Sequence, residues 1–501
     1  MNKKIHLHSS VTIEEVRKDT SFFGHPKGVG ALAAGNFFNS AAWGAFYAIM
    51  IFYLYTPFTR GLGFSEGVAA QMVTAMGACN GLIGILGSWL ADRVLGMRKA
   101  LIIGNIVKGA AFLLLALPPI TLMQGRVFAV LALFLLSIPI MGASNASLTG
   151  QLYRKSDNGR RDAAFTIHGI ANTIAGLIVP VLVAQLGMKN YHTGFAIAAA
   201  FAFLYAAVIF FTQYTFFGPL GESPTKPLEK GQFKKWIGRV LLIAAAGVAL
   251  IAGLVLTKVV AFKGILNIVT STTFIVPIIF LTNLFRQKDL TVADRRRMKP
   301  FMKLFCAQVI MGLCGTMLTT AIAIFIDKKI DRNFFGFEIA PGSVPTIYTV
   351  LSLVAGPVFV YLWTKTRAKD IKIVHKYACG VLASAFGFGL LVIPILVLPN
   401  SGTYSILWMV AYYIFLAVSD QLIWPIGSSM VSKLSPDAYE TQMQTAWGLT
   451  TAIANGIALV LFNFFQTADQ QVYLFPILSG MLVLTAALLF ANAKSIDKEM
   501  E

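Results

Sequence analysis

Apolar residues along this chain fall into long uninterrupted blocks separated by short polar connections. About fourteen such blocks are legible: 31–56, 67–91, 99–119, 126–152, 163–187, 193–215, 236–257, 262–285, 301–327, 344–366, 371–398, 404–432, 440–466 and 471–493. A run of about 20 apolar residues is long enough, as a helix, to cross ~30 Å of hydrocarbon. Backbone groups have no water partners inside lipid, so helices are the spanning form such runs predict. The pattern therefore predicts an all-α, multi-pass membrane protein.

Composition agrees. The chain is 56% hydrophobic and 13% charged, against about 25% charged for an ordinary soluble domain. The net charge of +19 raises nucleic-acid binding as an alternative. The charges, however, sit in the short connections, as the positive-inside rule describes, and no nucleic-acid partner is expected. The connections 92–99, 154–162, 226–239, 286–299 and 365–372 hold most of the Lys and Arg, which predicts cytoplasmic termini. The first 28 residues lack a short apolar core with a small-residue cleavage site, so no signal peptide is expected. Cys79, Cys306, Cys314 and Cys379 lie in apolar blocks without metal-type spacing, and read as buried residues outside any disulfide. No cofactor or metal site is expected.

The most charged connections flank the seventh and eighth blocks. This suggests a segment 1–30, a six-helix bundle 31–215, a linker 216–299 with two extra helices, a second six-helix bundle 300–493, and a tail 494–501. Six plus six is the layout of transporters built from two pseudo-symmetric halves.

Several stretches then resemble one family in order along the chain. "FFGHPKGVGAL" (22–32), "GSWLADRVLGMRKALIIGN" (87–105), "GQLYRKSDNGRRDAAFTI" (150–167), "DRNFFGFEIAPGSVPTIY" (331–348) and "WPIGSSMVSKLSP" (424–436) are similar to segments of the proton-dependent oligopeptide transporters, a branch of the major facilitator superfamily. The resemblance implies that superfamily's fold of two six-helix bundles, here with two inserted helices, and transport by alternating access. It also implies a gating role for Asp92, Arg93 and Arg98, in the turn around Gly96 between the second and third helices. The alternative for these charges is plain anchoring at the membrane edge.

The departures from the family are as informative. Its first helix carries Glu-x-x-Glu-Arg, tied to proton coupling and to the peptide carboxylate; here Asn36, Asn39 and Ser40 occupy those slots. Asn and Ser still form hydrogen bonds but do not titrate near neutral pH. The family's fourth-helix lysine region aligns with "GASN" (142–145), and its seventh-helix acid aligns near Thr316. The tenth-helix acid persists as Asp420, five residues before Pro425, a bending point. A lone charge in mid-span costs at least ~2.5 kcal/mol and normally faces protein or water. Lys108 is a charge added to the family's pattern. It reads either as a cavity cation and distant counter-charge to Asp420, or as a snorkelling side chain. His168 is a second candidate for proton coupling, with polar packing as the alternative.

Asn36, Asn39, Trp43, Tyr47, Asn80, Lys108, Asn172, Tyr348, Asp420, Trp424 and Trp447 make up the candidate substrate-binding set. A cavity rich in Asn and aromatics favours a ligand less charged or bulkier than a zwitterionic dipeptide. The expected protein is thus a monomeric secondary transporter, not an enzyme, of the inner or plasma membrane. Its substrate is a small molecule, peptide or peptide-like, with atypical or absent proton coupling. A carrier of another organic solute (a uniporter or exporter) and a non-transporting sensor stand as alternatives. No Gly-x-x-x-x-Gly-Lys-[Ser/Thr] loop suggests an ATP-driven pump.

Overall fold

A computed structural model of the chain describes residues 11–154, 157–224, 238, 262–287, 290–334, 336–398, 402–436 and 440–500. The seventh expected span, 236–257, lies outside the described residues except for position 238. The remainder is almost wholly helical, and the helices coincide with the apolar blocks. They are α1 (Ile13–Lys18), α2 (Lys27–Tyr55), α3 (Glu66–Leu90), α4 (Met97–Ala116), α5 (Leu122–Leu136), α6 (Ser144–Gln151), α7 (Asn158–Lys189) and α8 (Tyr191–Thr212). After these come α9 (Phe262–Phe285), α10 (Val292–Leu318), α11 (Ala321–Lys329), α12 (Thr346–Lys365), α13 (Ile373–Val397), α14 (Leu407–Leu434), α15 (Glu440–Phe464), α16 (Ala468–Gln471) and α17 (Leu474–Met500). Eleven described helical stretches are long and apolar enough to cross a membrane.

Two expected spans are broken, each for a local reason. The fourth, 126–152, divides into α5 and α6 around Pro139, which lacks an N–H, and Gly142, whose φ is +46°. The ninth, 301–327, divides at Thr319 and Thr320, whose hydroxyls both donate to the Thr316 carbonyl, at 3.3 and 2.7 Å. Those side-chain bonds give the backbone an alternative to the helix ladder. The expectation of four buried cysteines is corrected: Cys314 alone is buried, Cys79 is half-buried, and Cys306 and Cys379 are exposed. Apolar spans have outward faces too, and hydropathy does not say which face a small residue occupies. All four thiols are free.

The chain forms two compact units, Met1–Ile49 with Ile83–Phe262, and Met50–Leu82 with Lys263–Glu501. In the first unit α4 packs along α8, with the Phe203 ring lying where a Cβ on Gly109 would meet it at 2.7 Å. Gly35 on α2 lacks a side chain for a similar reason: a Cβ there would overlap the Tyr205 ring. Val29, Leu32, Leu101, Leu148, Tyr205 and Phe217 belong to the buried cluster at this end of the unit. In the second unit α13 packs against α14 and α17, and α10 against α15. Strand β1 (Ile330–Asp331) pairs in parallel with β4 (Tyr404–Ser405), and β2 (Asn333–Phe334) forms a hairpin with β3 (Phe337–Glu338).

Candidate substrate-binding site

The first unit holds a cavity of about 420 Å³. Asn36 and Asn39 on α2, Asn145 on α6, His168 and Asn172 on α7, and Tyr205 on α8 line it. None of its lining residues is Asp, Glu, Lys or Arg. Asn36 and Asn39 lie three apart, so both project from one face of α2. Asn36 Nδ2 donates to Asn145 Oδ1 at 3.4 Å, and Asn145 Nδ2 donates to the Tyr205 hydroxyl at 2.5 Å. The Ser40 hydroxyl donates to Asn172 Oδ1 at 2.9 Å, joining α2 to α7. His168 is buried, and its Nε2 has no hydrogen-bond partner among the described residues.

Lys108 stands next to this cavity without lining it. It is 7% exposed, so it does not snorkel. Its Nζ donates to Asn39 Oδ1 at 2.5 Å and to Asn105 Oδ1 at 3.4 Å, and lies 5.6 Å from the centre of the Trp43 ring. No carboxylate pairs with it among the described residues. Trp43 stacks on Tyr47 and meets Phe112 edge-on.

Within the second unit, Tyr348 and Asp420 meet. Asp420 on α14 is half-buried and accepts a hydrogen bond from the Tyr348 hydroxyl on α12. Tyr348 in turn lies 6.3 Å, ring to ring, from Tyr413. Thr316, at the family's acidic position, donates to Asn455 Oδ1 at 2.6 Å. Trp447 is buried beside Phe301, where Gly427 leaves it room. Trp424 is 68% exposed, Pro425 is exposed, and Asn80 is half-buried. The first unit therefore brings Asn36, Asn39, His168 and Asn172 together at one cavity, and the second unit brings Tyr348 and Asp420 together.

Asn105 and Tyr205 lie outside the candidate set that the sequence singles out. Asn105 carries a usable signal: it precedes Lys108 by three residues and so shares its helix face. Tyr205 sits among Ala and Phe and carries none.

Among the expected gating residues, Asp92 and Arg93 occupy a π-helical turn, Ala91–Leu95, with Asp92 exposed and Arg93 half-buried. Arg98 is the residue that is tied in. Its guanidinium is 1% exposed, donates to the carbonyls of Gln213 and, at 3.0 Å, Gly218, and lies 3.2 Å from the Glu222 carboxylate. Gly96 makes this approach possible, because its φ is +80° and a Cβ would stand 2.6 Å from the Glu222 carbonyl oxygen. Outside the membrane-spanning helices, the segment before α2 is docked as well. Val16 is buried, Arg160 donates to the Gly24 carbonyl, and His25 Nδ1 lies 2.7 Å from the Tyr153 hydroxyl. Burial, followed by the nearby Arg160 charge, holds the His25 pKa below its ordinary value.

Comparison with known proteins places this geometry. The family model described as PTR2, POT family, matches residues 99–478. The chain is 27% identical over 483 residues to an uncharacterized transporter, YclF, of Bacillus subtilis (strain 168), covering 95% of this chain and 96% of that protein. It is 26% identical over 495 residues to a di-/tripeptide transporter of Lactococcus lactis subsp. cremoris, covering 97% and 98%. A crystal structure of a peptide transporter POT in complex with sulfate superposes with a TM-score of 0.89 at 27% identity, over 98% of this chain and 100% of that one. A POT family transporter in complex with 5-aminolevulinic acid superposes with a TM-score of 0.86 at 26% identity, over 97% and 100%. The expected all-α membrane fold of the transporter superfamily is the fold observed.

Proposed function

Because the chain belongs to the POT family, we propose that this membrane transporter moves peptides or peptide-like solutes by alternating access, with atypical or absent proton coupling. The substrate class is supported by relatives named as di-/tripeptide transporters, and by solved relatives holding 5-aminolevulinic acid and a thioalcohol-conjugated peptide. The coupling is inferred from one observation: the cavity of the first unit is built from Asn36, Asn39, Asn145 and Asn172, with no fixed charge on its lining. Carboxamides orient a ligand by hydrogen bonds at any pH near neutrality, whereas the titrating first-helix acids of the family are replaced. Asp420, partnered by Tyr348, is the remaining mid-span carboxylate at a family position, and it carries any proton coupling that exists, with His168 the second candidate. The protein acts as a monomer in the cell's inner or plasma membrane, with both termini cytoplasmic.

The test is reconstitution in liposomes preloaded with unlabelled dialanine or trialanine. Labelled peptide should enter by exchange, and an inward proton gradient should not drive its accumulation. Strong gradient-driven accumulation refutes the coupling. Absence of exchange for both peptides, in protein stabilised by some other organic solute, refutes the substrate class.

A further inference from the structure

We propose that Lys108 is a positioning residue that sets the orientation of the Asn39 carboxamide and so makes the cavity of the first unit present N–H donors to an oxygen-rich ligand group. The proposal rests on the peptide-like substrate reading above and adds which groups meet the ligand.

A carboxamide has an acceptor end and a donor end, and nothing in its shape decides which one faces a cavity. Neighbours decide. An ammonium has three donors and no acceptor, so it takes the oxygen of any carboxamide it meets. Lys108 Nζ sits 2.5 Å from Asn39 Oδ1, on the side away from the cavity, since Lys108 is absent from the lining while Asn39 is part of it. The Asn39 Nδ2 group then remains, and it donates to no other described residue.

Asn105 holds the lysine in place. Its Oδ1 accepts from Nζ at 3.4 Å while its Nδ2 is used on the Leu101 carbonyl at 2.8 Å, so its oxygen too is committed to Lys108. Trp43 completes the enclosure by offering its ring 5.6 Å from the charge. Asn172 repeats the arrangement with a different donor. The Ser40 hydroxyl occupies its Oδ1 at 2.9 Å and leaves its Nδ2 unused.

Two of the lining carboxamides therefore have their oxygens filled by α2 and α4 side chains and their N–H groups left over. Asn145 has no such surplus, because its Nδ2 serves Tyr205 and the Leu32 carbonyl and its Oδ1 accepts from Asn36. Asn36 contributes one free acceptor oxygen. A ligand group rich in acceptor oxygens, a carboxylate or a peptide carbonyl, matches two free NH2 groups better than an ammonium does.

The experiment is a double-mutant cycle on the full chain in lipid nanodiscs. Lys108→Met removes the donor and keeps the stem, and Asn39→Leu removes the carboxamide. In ligand-free protein the unfolding midpoints of the two single variants and the double variant should be non-additive, the second substitution having little further effect. With dialanine and trialanine as probes, Lys108→Met should weaken binding about tenfold while leaving the maximal exchange rate within twofold. Lys108→Gln, which keeps an N–H donor toward Asn39, should recover most of the affinity. Asn39→Asp, whose two oxygens still accept from Lys108 but which has no N–H, should bind as weakly as Lys108→Met.

Additive midpoints overturn the positioning role whatever the ligand. Non-additive midpoints with unchanged Lys108→Met affinity overturn the donor-facing cavity. Failure of the wild-type chain to bind either peptide overturns the substrate reading, and the ligand-free cycle still decides whether Lys108 holds Asn39.

Discussion

Arg98 gives the sharpest test of how the connection between α3 and α4 is held. Replacing it with alanine removes a guanidinium that is 1% exposed. The carbonyls of Gln213 and Gly218 lose their side-chain donor, and the Glu222 carboxylate loses its ion pair. A buried acceptor left without a partner costs about 1–3 kcal/mol, so two of them put the loss at about 2–6 kcal/mol. The Glu222 side chain is 35% exposed, and a pair open to water on one side adds roughly 0–1 kcal/mol. Arg98→Ala should therefore lower the thermal midpoint of the purified protein by several degrees, at about 2–4 °C per kcal/mol for a unit of this size. Glu222→Gln should lower it by no more than about 4 °C. Arg98→Lys should fall between, since a point charge cannot span both carbonyls and the carboxylate as the planar fork does. Hydrogen exchange should rise in residues 213–222 for Arg98→Ala and stay near wild type for Glu222→Gln. Equal losses in the two variants would show that the ion pair, not the carbonyl bonds, carries the junction, and a midpoint unchanged by Arg98→Ala would refute the reasoning altogether.

Three further outcomes are expected. The docking of residues 12–26 should weaken on acidification: His25 has its pKa lowered in the folded state, so docking is strongest above its ordinary 6.5 and declines as pH falls below that value, where the undocked form binds the extra proton. Limited proteolysis of this segment at pH 7.5 and 5.5 checks the sign, and faster cleavage at the higher pH would contradict it. Asp92→Asn, on an exposed position of the π-helical turn, should slow exchange while leaving ligand affinity within about threefold, or ~0.6 kcal/mol; a large affinity loss at an unchanged maximal rate would move this residue into the binding site. Asp420→Asn should alter transport or its profile between pH 5 and 8 more than Lys108→Gln does, and a variant indistinguishable from wild type in both would show that Asp420 carries neither substrate nor protons.

Membrane character, helix type and most helix positions were legible in the sequence, because hydrocarbon admits few backbone solutions and marks them with long apolar runs. The erased first-helix charges were legible too, since Asn36, Asn39 and Ser40 stand in order behind "GHPKG". Hydropathy did not show the breaks at Pro139 and at Thr319–Thr320, which depend on single residues inside apolar blocks. Nor did it separate an outward-facing Cys306 from a buried Cys314, because lipid and protein interior are both apolar. Sequence singled out Lys108 as an unusual charge, and only the packing of α4 beside α2 decided that its amine meets Asn39 rather than water. The same holds for Arg98, one basic residue among several in its loop until the chain folds back and brings three acceptors, at Gln213, Gly218 and Glu222, around it. Residue type states what a side chain can donate or accept, and which partners desolvate it is set by segments a hundred residues away.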